Sequence, residues 1–332
     1  CIEELIARRD TPQTIPEFLS SPAQVTDIQL DSLSESSREV LETFLLLVDE
    51  YGAWGSAPIG GYVISMTHSP LDVLTVQWLW NTAWAIRHDG DASPPFLPII
   101  PLFETIEDLR EASSILDNLF QVPTYRQNLA DADHDHQIVM VGYSDSTKDG
   151  GYLSACWELH LAQQEMARVA AQHGIRMTVF HGRGGALGRG GGPAARAIRS
   201  LPQQSVGGRL RVTEQGEVLS ERYDDPVIAH RHLEQIINAT LLVSAETKEK
   251  PDSGWIDTMQ QLSDHSYRCY RSLVEHPGFL AYFEQATPTS EIEALPIASR
   301  PARRSARSSL DDLRAIPWTF AWTQSRHILP AW

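Results

Sequence analysis

QIVMVGYSDSTKDGGYLSACWELHLAQQEMARVAAQHGIRMTVFH, residues 137–181, carries one full period of the pattern that decides the fold. Residues 137–142 are a short apolar, β-branched run suited to a buried strand. Residues 152–173 have the amphipathic spacing of a helix, and residues 177–181 form a second buried run. A strand, a helix and a strand in that order make a parallel pair joined by a crossover.

The same unit recurs upstream. Residues 96–103 (FLPIIPLF) precede the helical ETIEDLREASSILDNLF, and residues 62–67 (YVISMT) precede SPLDVLTVQWLW, where a capping serine is followed by an N1 proline. With strand ends at Thr67, Phe103, Gly142 and His181, the intervals are 36, 39 and 39 residues. Downstream, residues 209–213 (RLRVT) are a fifth candidate strand, and residues 225–282 read as mainly helical. Ahead of the units, Ser34 to Ser37 offer a cap before the apolar run Val40, Leu41, Phe44, Leu45, Val48, and this segment holds no recognisable chemistry. The expected class is α/β, with parallel strands joined by helices. Four or five such units do not close an eight-stranded barrel, so either further units lie outside this chain or the sheet is open.

Composition narrows the function classes. The 332 residues are 42% hydrophobic and 21% charged, as expected for a folded chain. A net charge of −16 would repel nucleic acid or an anionic membrane, so neither is expected as a partner. Cys1, Cys156 and Cys269 show no CxxC spacing, which argues against disulfides and zinc sites and fits a reducing cytoplasm. No apolar run approaches the roughly 18 residues of a membrane span, and CIEELIARRD is not a signal pattern. The start at Cys1 and the abrupt final LPAW suggest a piece of a longer chain.

The polar residues fall where parallel α/β folds bind ligands, at the carboxyl ends of strands. Glu104 follows the second strand, Asp145 the third, and His181 and Arg183 close the fourth. Two carboxylates without Cys or His suit a hard cation such as Mg²⁺ or Mn²⁺. Two plainer readings compete: Glu104 as a helix cap, and Asp145 as an Asx-turn or N-cap residue. Residues 181–193 (HGRGGALGRGGGP) contain seven glycines with Arg183 and Arg189 among them, a backbone and charge suited to phosphate or carboxylate. No Lys-Ser or Lys-Thr follows, so this is not a Walker A loop. The GxGxxA match at Gly190, Gly192 and Ala195 falls too far after the strand for a dinucleotide fold. A flexible surface loop is the alternative.

Arg300, Arg303, Arg304, Arg307 and Arg314 add local positive charge, as an anionic small ligand would require. Arg303, Arg304 and Arg307 read better as a solvated basic loop, whereas Arg314 sits in apolar LRAIPW and needs a partner. DADHDH, residues 131–136, reads as a solvated turn rather than a metal cluster. Trp78, Trp80, Trp84, Trp318 and Trp322 read as core or subunit-contact residues.

Several long motifs in register are similar to the phosphoenolpyruvate carboxylase family. They are VMVGYSDSTKDGG (139–151), VFHGRGGALGRGGGP (179–193), LRVTEQGEV (210–218) and LRAIPWTFAWTQSRHILPAW (313–332), with PLFETIEDL (101–109), ISMTHSPLDVL (64–74) and SRPARR (299–304) in the same order. The resemblance implies part of a TIM-type (β/α)8 barrel embedded in many helices. Residues 1–55 would be a helical segment ahead of residues 56–332, the barrel units, in one domain incomplete at both ends. It implies an anaplerotic, allosteric homotetramer that uses Mg²⁺ or Mn²⁺ to convert phosphoenolpyruvate and bicarbonate into oxaloacetate and phosphate. Glu104 and Asp145 match the family's metal ligands. Arg183, Arg189, Arg300 and Arg314 match the arginines around phosphate and carboxylates, and Lys148 and His181 match active-site neighbours. The family's catalytic histidine lies upstream of anything in this chain, and its inhibitor-binding residues lie beyond LPAW, so the 332 residues alone are expected to be inactive. Before LRAIPW the chain reads RSSLDD where the family usually has a Gly-Gly pair, which bears on the mobility of that loop. The competing expectations are a non-catalytic regulatory or assembly relative, and a different Mg²⁺-dependent phosphoenolpyruvate enzyme.

Overall fold

The computed structural model describes residues 19, 33–56, 59–88, 93–133, 135–182, 194–214, 216–245, 251–295, 301–303, 309–325 and 329. The chain is α/β. Helix α1 (Glu35–Trp54) leads to β1 (Tyr62–Ile64), α2 (Pro70–Arg87) and β2 (Ile99–Phe103). Then come α3 (Ile106–Phe120), α4 (Pro123–Asp133), β3 (His136–Gly142), α5 (Tyr143–Gly150), α6 (Tyr152–Gln172) and β4 (Arg176–Gly182). After these follow α7 (Ala194–Arg199), α8 (Gln203–Val206) and β5 (Arg211–Val212). The last elements are helical: α9 (Gly216–Tyr223), α10 (Pro226–Ala245), α11 (Ser253–Val274), α12 (Phe279–Ala286), α13 (Thr289–Glu293) and α14 (Ala315–Gln324).

The strands lie in one sheet in the order β1-β2-β3-β4-β5. Tyr62 stands opposite Ile99 and Ile64 opposite Pro101 in parallel register, and at the other edge Phe180 stands opposite Arg211 and His181 opposite Val212. All of β2 is buried, as a strand covered on both faces must be. No helix among the described residues is long and apolar enough to cross a membrane.

One expectation is corrected. The first strand stops at Ile64 rather than Thr67, because Met66 takes a left-handed φ of 55° that turns the chain out of the sheet. Thr67 then returns to β2: its N–H donates to the Leu102 carbonyl at 3.2 Å, its Oγ1 accepts from the Leu102 N–H at 3.2 Å, and its hydroxyl donates to the Ile64 carbonyl at 3.1 Å. The stretch YSDSTKDG forms helix α5. Its serine and threonine hydroxyls bond back to the carbonyls of Gly142 and Tyr143, and Gly151, at φ 80°, closes it by donating its N–H to the Thr147 carbonyl.

Helix starts follow their capping chemistry. Ser34 Oγ accepts from the Ser37 N–H ahead of α1, whose buried face is Leu41, Phe44, Leu45 and Val48, with Val40 left exposed. Before α2, the Asp72 carboxylate accepts from the N–H groups of His68 and Ser69, behind the N1 proline.

Backbone contacts divide the chain into two compact units, residues 1–102 with 114–139 and 169–177, and residues 103–113 with 140–168 and 178–332. In the first, α1 packs on α2, and Tyr51 meets Trp80 and Trp84 edge-on. Here Tyr125, fully buried, donates to Gln137 Oε1 at 2.6 Å, and Gln137 Nε2 donates to the Ile99 carbonyl at 3.0 Å. Burial pushes the Tyr125 phenol up, so it remains a donor. Tyr125→Phe strands a buried acceptor and should cost about 1–2 kcal/mol, read as a lower thermal midpoint without loss of helix signal.

The second unit holds two apolar clusters. One joins Phe279, Phe283, Ile292, Leu313, Trp318 and Trp322; the other joins Ile198, Leu201, Val206, Ala239 and Val243. All five tryptophans read as core or contact residues are buried.

Candidate functional site

The carboxyl ends of β2, β3 and β4 fall within the second unit and carry the charged residues. Glu104 directly follows β2 and is only 6% exposed. Capping of α3 falls to its neighbours: the Asp108 carboxylate accepts from the Thr105 N–H at 3.1 Å, and Thr105 Oγ1 accepts from the Asp108 N–H at 3.0 Å. The helix therefore does not account for Glu104.

Beside it stands the end of β3. A Cβ added to Gly142 would lie 3.1 Å from Glu104 Cγ and 3.4 Å from its Cα, so the glycine is what gives the glutamate room. Gly142 is also the N-cap of α5, whose first turn bears Asp145 and whose last bears Lys148. Asp145 is thus neither an Asx-turn residue nor an N-cap; it sits at the third helical position, where the helix dipole favours an anion. Two carboxylates stand at the ends of neighbouring strands.

His181, at the end of β4, is 3% exposed, and its Nδ1 lies 2.8 Å from the Tyr143 hydroxyl at the start of α5. When the tyrosine donates, the imidazole carries its proton on Nε2 and presents an N–H on its other side. The His181 carbonyl accepts from the Thr213 N–H at 3.0 Å, tying the strand end to the segment after β5.

Helix α5 is held by α11. Arg271 Nη1 of α11 lies 3.0 Å from Asp149 Oδ1, and the Tyr270 hydroxyl donates to the Lys148 carbonyl at 2.6 Å. Helix α14 also packs on α5, and Arg314 is its N-cap residue, its backbone N–H donating to the Ala302 carbonyl at 2.9 Å. The structure therefore brings Glu104, Asp145 and His181 to adjoining strand ends, with Lys148 in the last turn of α5 and Arg314 heading a helix packed against the same α5. Arg183, Arg189 and Arg300 lie outside the described residues, as do Arg304 and Arg307.

Arg303 is not the solvated residue its loop suggested. Its guanidinium grips Glu293 with two nitrogens, at 3.0 Å and 2.7 Å. DADHDH is not a turn throughout: Asp131 and Asp133 end α4, and His136 opens β3. Among the described residues no three His, Cys, Asp or Glu side chains gather as a metal site; Glu104 and Asp145 follow neighbouring strands. Sequence reasoning missed Tyr143, Asp149, Tyr270 and Arg271. The first two lie inside the quoted YSDSTKDGG motif, and the last two carry no local signal at all.

A family model described as phosphoenolpyruvate carboxylase matches residues 13–332. Among curated proteins, the chain is similar to a phosphoenolpyruvate carboxylase of Rhodothermus marinus, 44% identical over 314 residues, covering 90% of this chain and 33% of that protein. It is similar to phosphoenolpyruvate carboxylase 4 of Arabidopsis thaliana, 44% identical over 300 residues, covering 89% of this chain and 29% of that one. A phosphoenolpyruvate carboxylase of Chromobacterium violaceum is 46% identical over 281 residues, covering 84% and 31%. The chain spans about a third of the length of the curated relatives it matches.

Proposed function

Because this chain belongs to the phosphoenolpyruvate carboxylase family, we propose that the whole protein of which it is a part joins phosphoenolpyruvate to bicarbonate, giving oxaloacetate and phosphate. One observation carries the reading: within the matched residues, Glu104 and Asp145 follow neighbouring strands, with Gly142 opening space beside the glutamate. The five-stranded sheet is then the first part of an eight-stranded barrel, completed by chain beyond these residues. The 332 residues by themselves are inactive on this proposal, and the working form is a cytoplasmic homotetramer.

The donor set fits Mg²⁺ or Mn²⁺. Two carboxylates without Cys or His, on adjoining strand ends, are what a hard cation takes while keeping sites for water and substrate oxygens. When bound, such a cation supplies positive charge for phosphoryl and enolate oxygens. The remaining work belongs to side chains. Arg314 and Lys148, with Arg183, Arg189 and Arg300, neutralise the phosphate and carboxylate of the substrate. His181, oriented by Tyr143, offers its second ring nitrogen to a substrate oxygen.

In the reaction, a bicarbonate oxygen attacks phosphorus and the bond from phosphorus to the enol oxygen breaks, leaving carboxyphosphate and the enolate of pyruvate. Carboxyphosphate then breaks its carbon–oxygen bond to give CO₂ and phosphate, which keeps the bicarbonate proton, and the enolate carbon attacks CO₂. Water must be kept out, since a stray proton would turn the enolate into pyruvate.

The test is oxaloacetate formation by the full-length protein, followed through NADH oxidation with malate dehydrogenase, with and without bicarbonate and divalent cation. Turnover that needs both is the expected result. Consumption of phosphoenolpyruvate without bicarbonate would point to another chemistry, and a folded, cation-supplied protein without turnover would point to a non-catalytic relative.

A further inference from the structure

Helix α5 has only eight residues and ends at a glycine, too short to hold its position through its own backbone bonds. Yet it bears both Asp145 and Lys148. What holds it comes from far away in the sequence. Asp149 Oδ2 accepts from the Ile106 N–H, at the start of α3, at 2.8 Å. Asp149 Oδ1 takes Arg271 Nη1 at 3.0 Å, and the same nitrogen reaches the Asp149 carbonyl at 3.3 Å. Arg271 is itself held from the other side by Glu275 at 2.6 Å. One residue back, the Tyr270 hydroxyl grips the Lys148 carbonyl at 2.6 Å. Burial and the adjacent Asp149 carboxylate both push the Tyr270 phenol up, so it keeps its proton to donate.

The spacing gives these contacts a consequence. Asp145 and Asp149 are one helical turn apart on the same face of α5, so whatever fixes Asp149 also fixes the rotation that aims Asp145. The Asp149 and Arg271 side chains are 26% and 27% exposed, partly shielded from water, so the pair is not screened as a surface pair would be.

We propose that Asp149, Arg271 and Tyr270 are positioning residues for this site: α11 braces α5 and so sets where Asp145 and Lys148 meet their ligands. The proposal rests on the reading of Asp145 as a metal ligand. None of the three touches a reacting atom. Their effect runs through the orientation of groups that do, as outer-shell partners of metal ligands act.

The readout is Mn²⁺ binding to the full-length protein, followed by the electron paramagnetic resonance of free Mn²⁺ and independent of turnover. Asp149→Asn and Arg271→Met should each weaken Mn²⁺ binding about tenfold, the double variant being no worse than either single one. Arg271→Lys should recover part of the loss, and Tyr270→Phe, which removes one hydroxyl, should weaken binding roughly two- to threefold. As a control, Asp135→Asn breaks the Arg126–Asp135 pair of the other compact unit, and should lower only the thermal midpoint. Unchanged Mn²⁺ affinity in Asp149→Asn, with binding abolished in Asp145→Asn, would sink the brace and leave the metal reading standing. Undiminished binding in Asp145→Asn would sink both. Should Asp149→Asn fail to fold, unchanged affinity in Tyr270→Phe and Arg271→Lys together overturns the proposal.

Discussion

Asp145→Asn in the full-length protein should lower bicarbonate-dependent turnover by about three orders of magnitude or more, and Glu104→Gln should do the same, with helix content unchanged in both. The size follows from what the pair would hold. A divalent cation contributes several kcal/mol of charge stabilisation in the transition state, and each 1.4 kcal/mol is about a factor of ten in rate. The substitutions are nearly isosteric: the amide replacing the Glu104 carboxylate would still fill the space beside Gly142, and the amide replacing the Asp145 carboxylate would still occupy the first turn of α5. Magnitude separates this from the plainer alternative. If Asp145 served only the helix dipole, its neutralisation would cost about 0.3–1 kcal/mol of stability and leave turnover intact. For Glu104 that alternative is already weak, because Thr105 and Asp108 cap α3. Normal turnover in either variant removes that residue from the site.

Much of this arrangement is legible in the sequence, for physical reasons. The ends of β2 and β3 fall at Phe103 and Gly142 as expected, since each is a continuous apolar run stopped by polar residues. Once the strand ends are placed, Glu104, Asp145 and His181 follow, because parallel architectures bring such ends to one face. The failures have physical causes too. Met66 ends β1 early through a backbone conformation that no hydrophobic pattern signals. YSDSTKDG is rich in turn-forming residues, yet it is helical, with Gly142 as its N-cap, Gly151 closing it, and Tyr270 and Arg271 gripping its far end. Those two residues stand 122 positions from their partners, beyond any local window. Arg303 looked solvated because the loop around it is basic and polar, while its partner Glu293 lies on another element.

Gly150→Ala should be the most damaging single-methyl change in the site. A Cβ at Gly150 would fall 2.5 Å from Ile106 Cγ1 and 2.6 Å from its Cδ1, closer than side-chain atoms approach. Ile106 is 1% exposed, so it has no solvent to retreat into, and its N–H is the donor that Asp149 accepts. Relief comes from forcing Ile106 off its rotamer within packed surroundings or from moving α5 away from α3. That should cost about 1–3 kcal/mol as overpacking. The greater effect is on function, since a displacement of about 1 Å at groups that align a substrate can cost roughly a hundredfold in rate. We expect kcat/KM to fall about that far while the thermal midpoint drops by a few degrees. The cause can be checked by adding Ile106→Ala, which returns the lost volume from the opposite side without touching the Ile106 N–H. The double variant should regain most of both losses. Wild-type activity and midpoint in Gly150→Ala would mean that α5 and α3 are not held together as tightly as this packing requires, and that the position of Asp145 is set by something other than this contact.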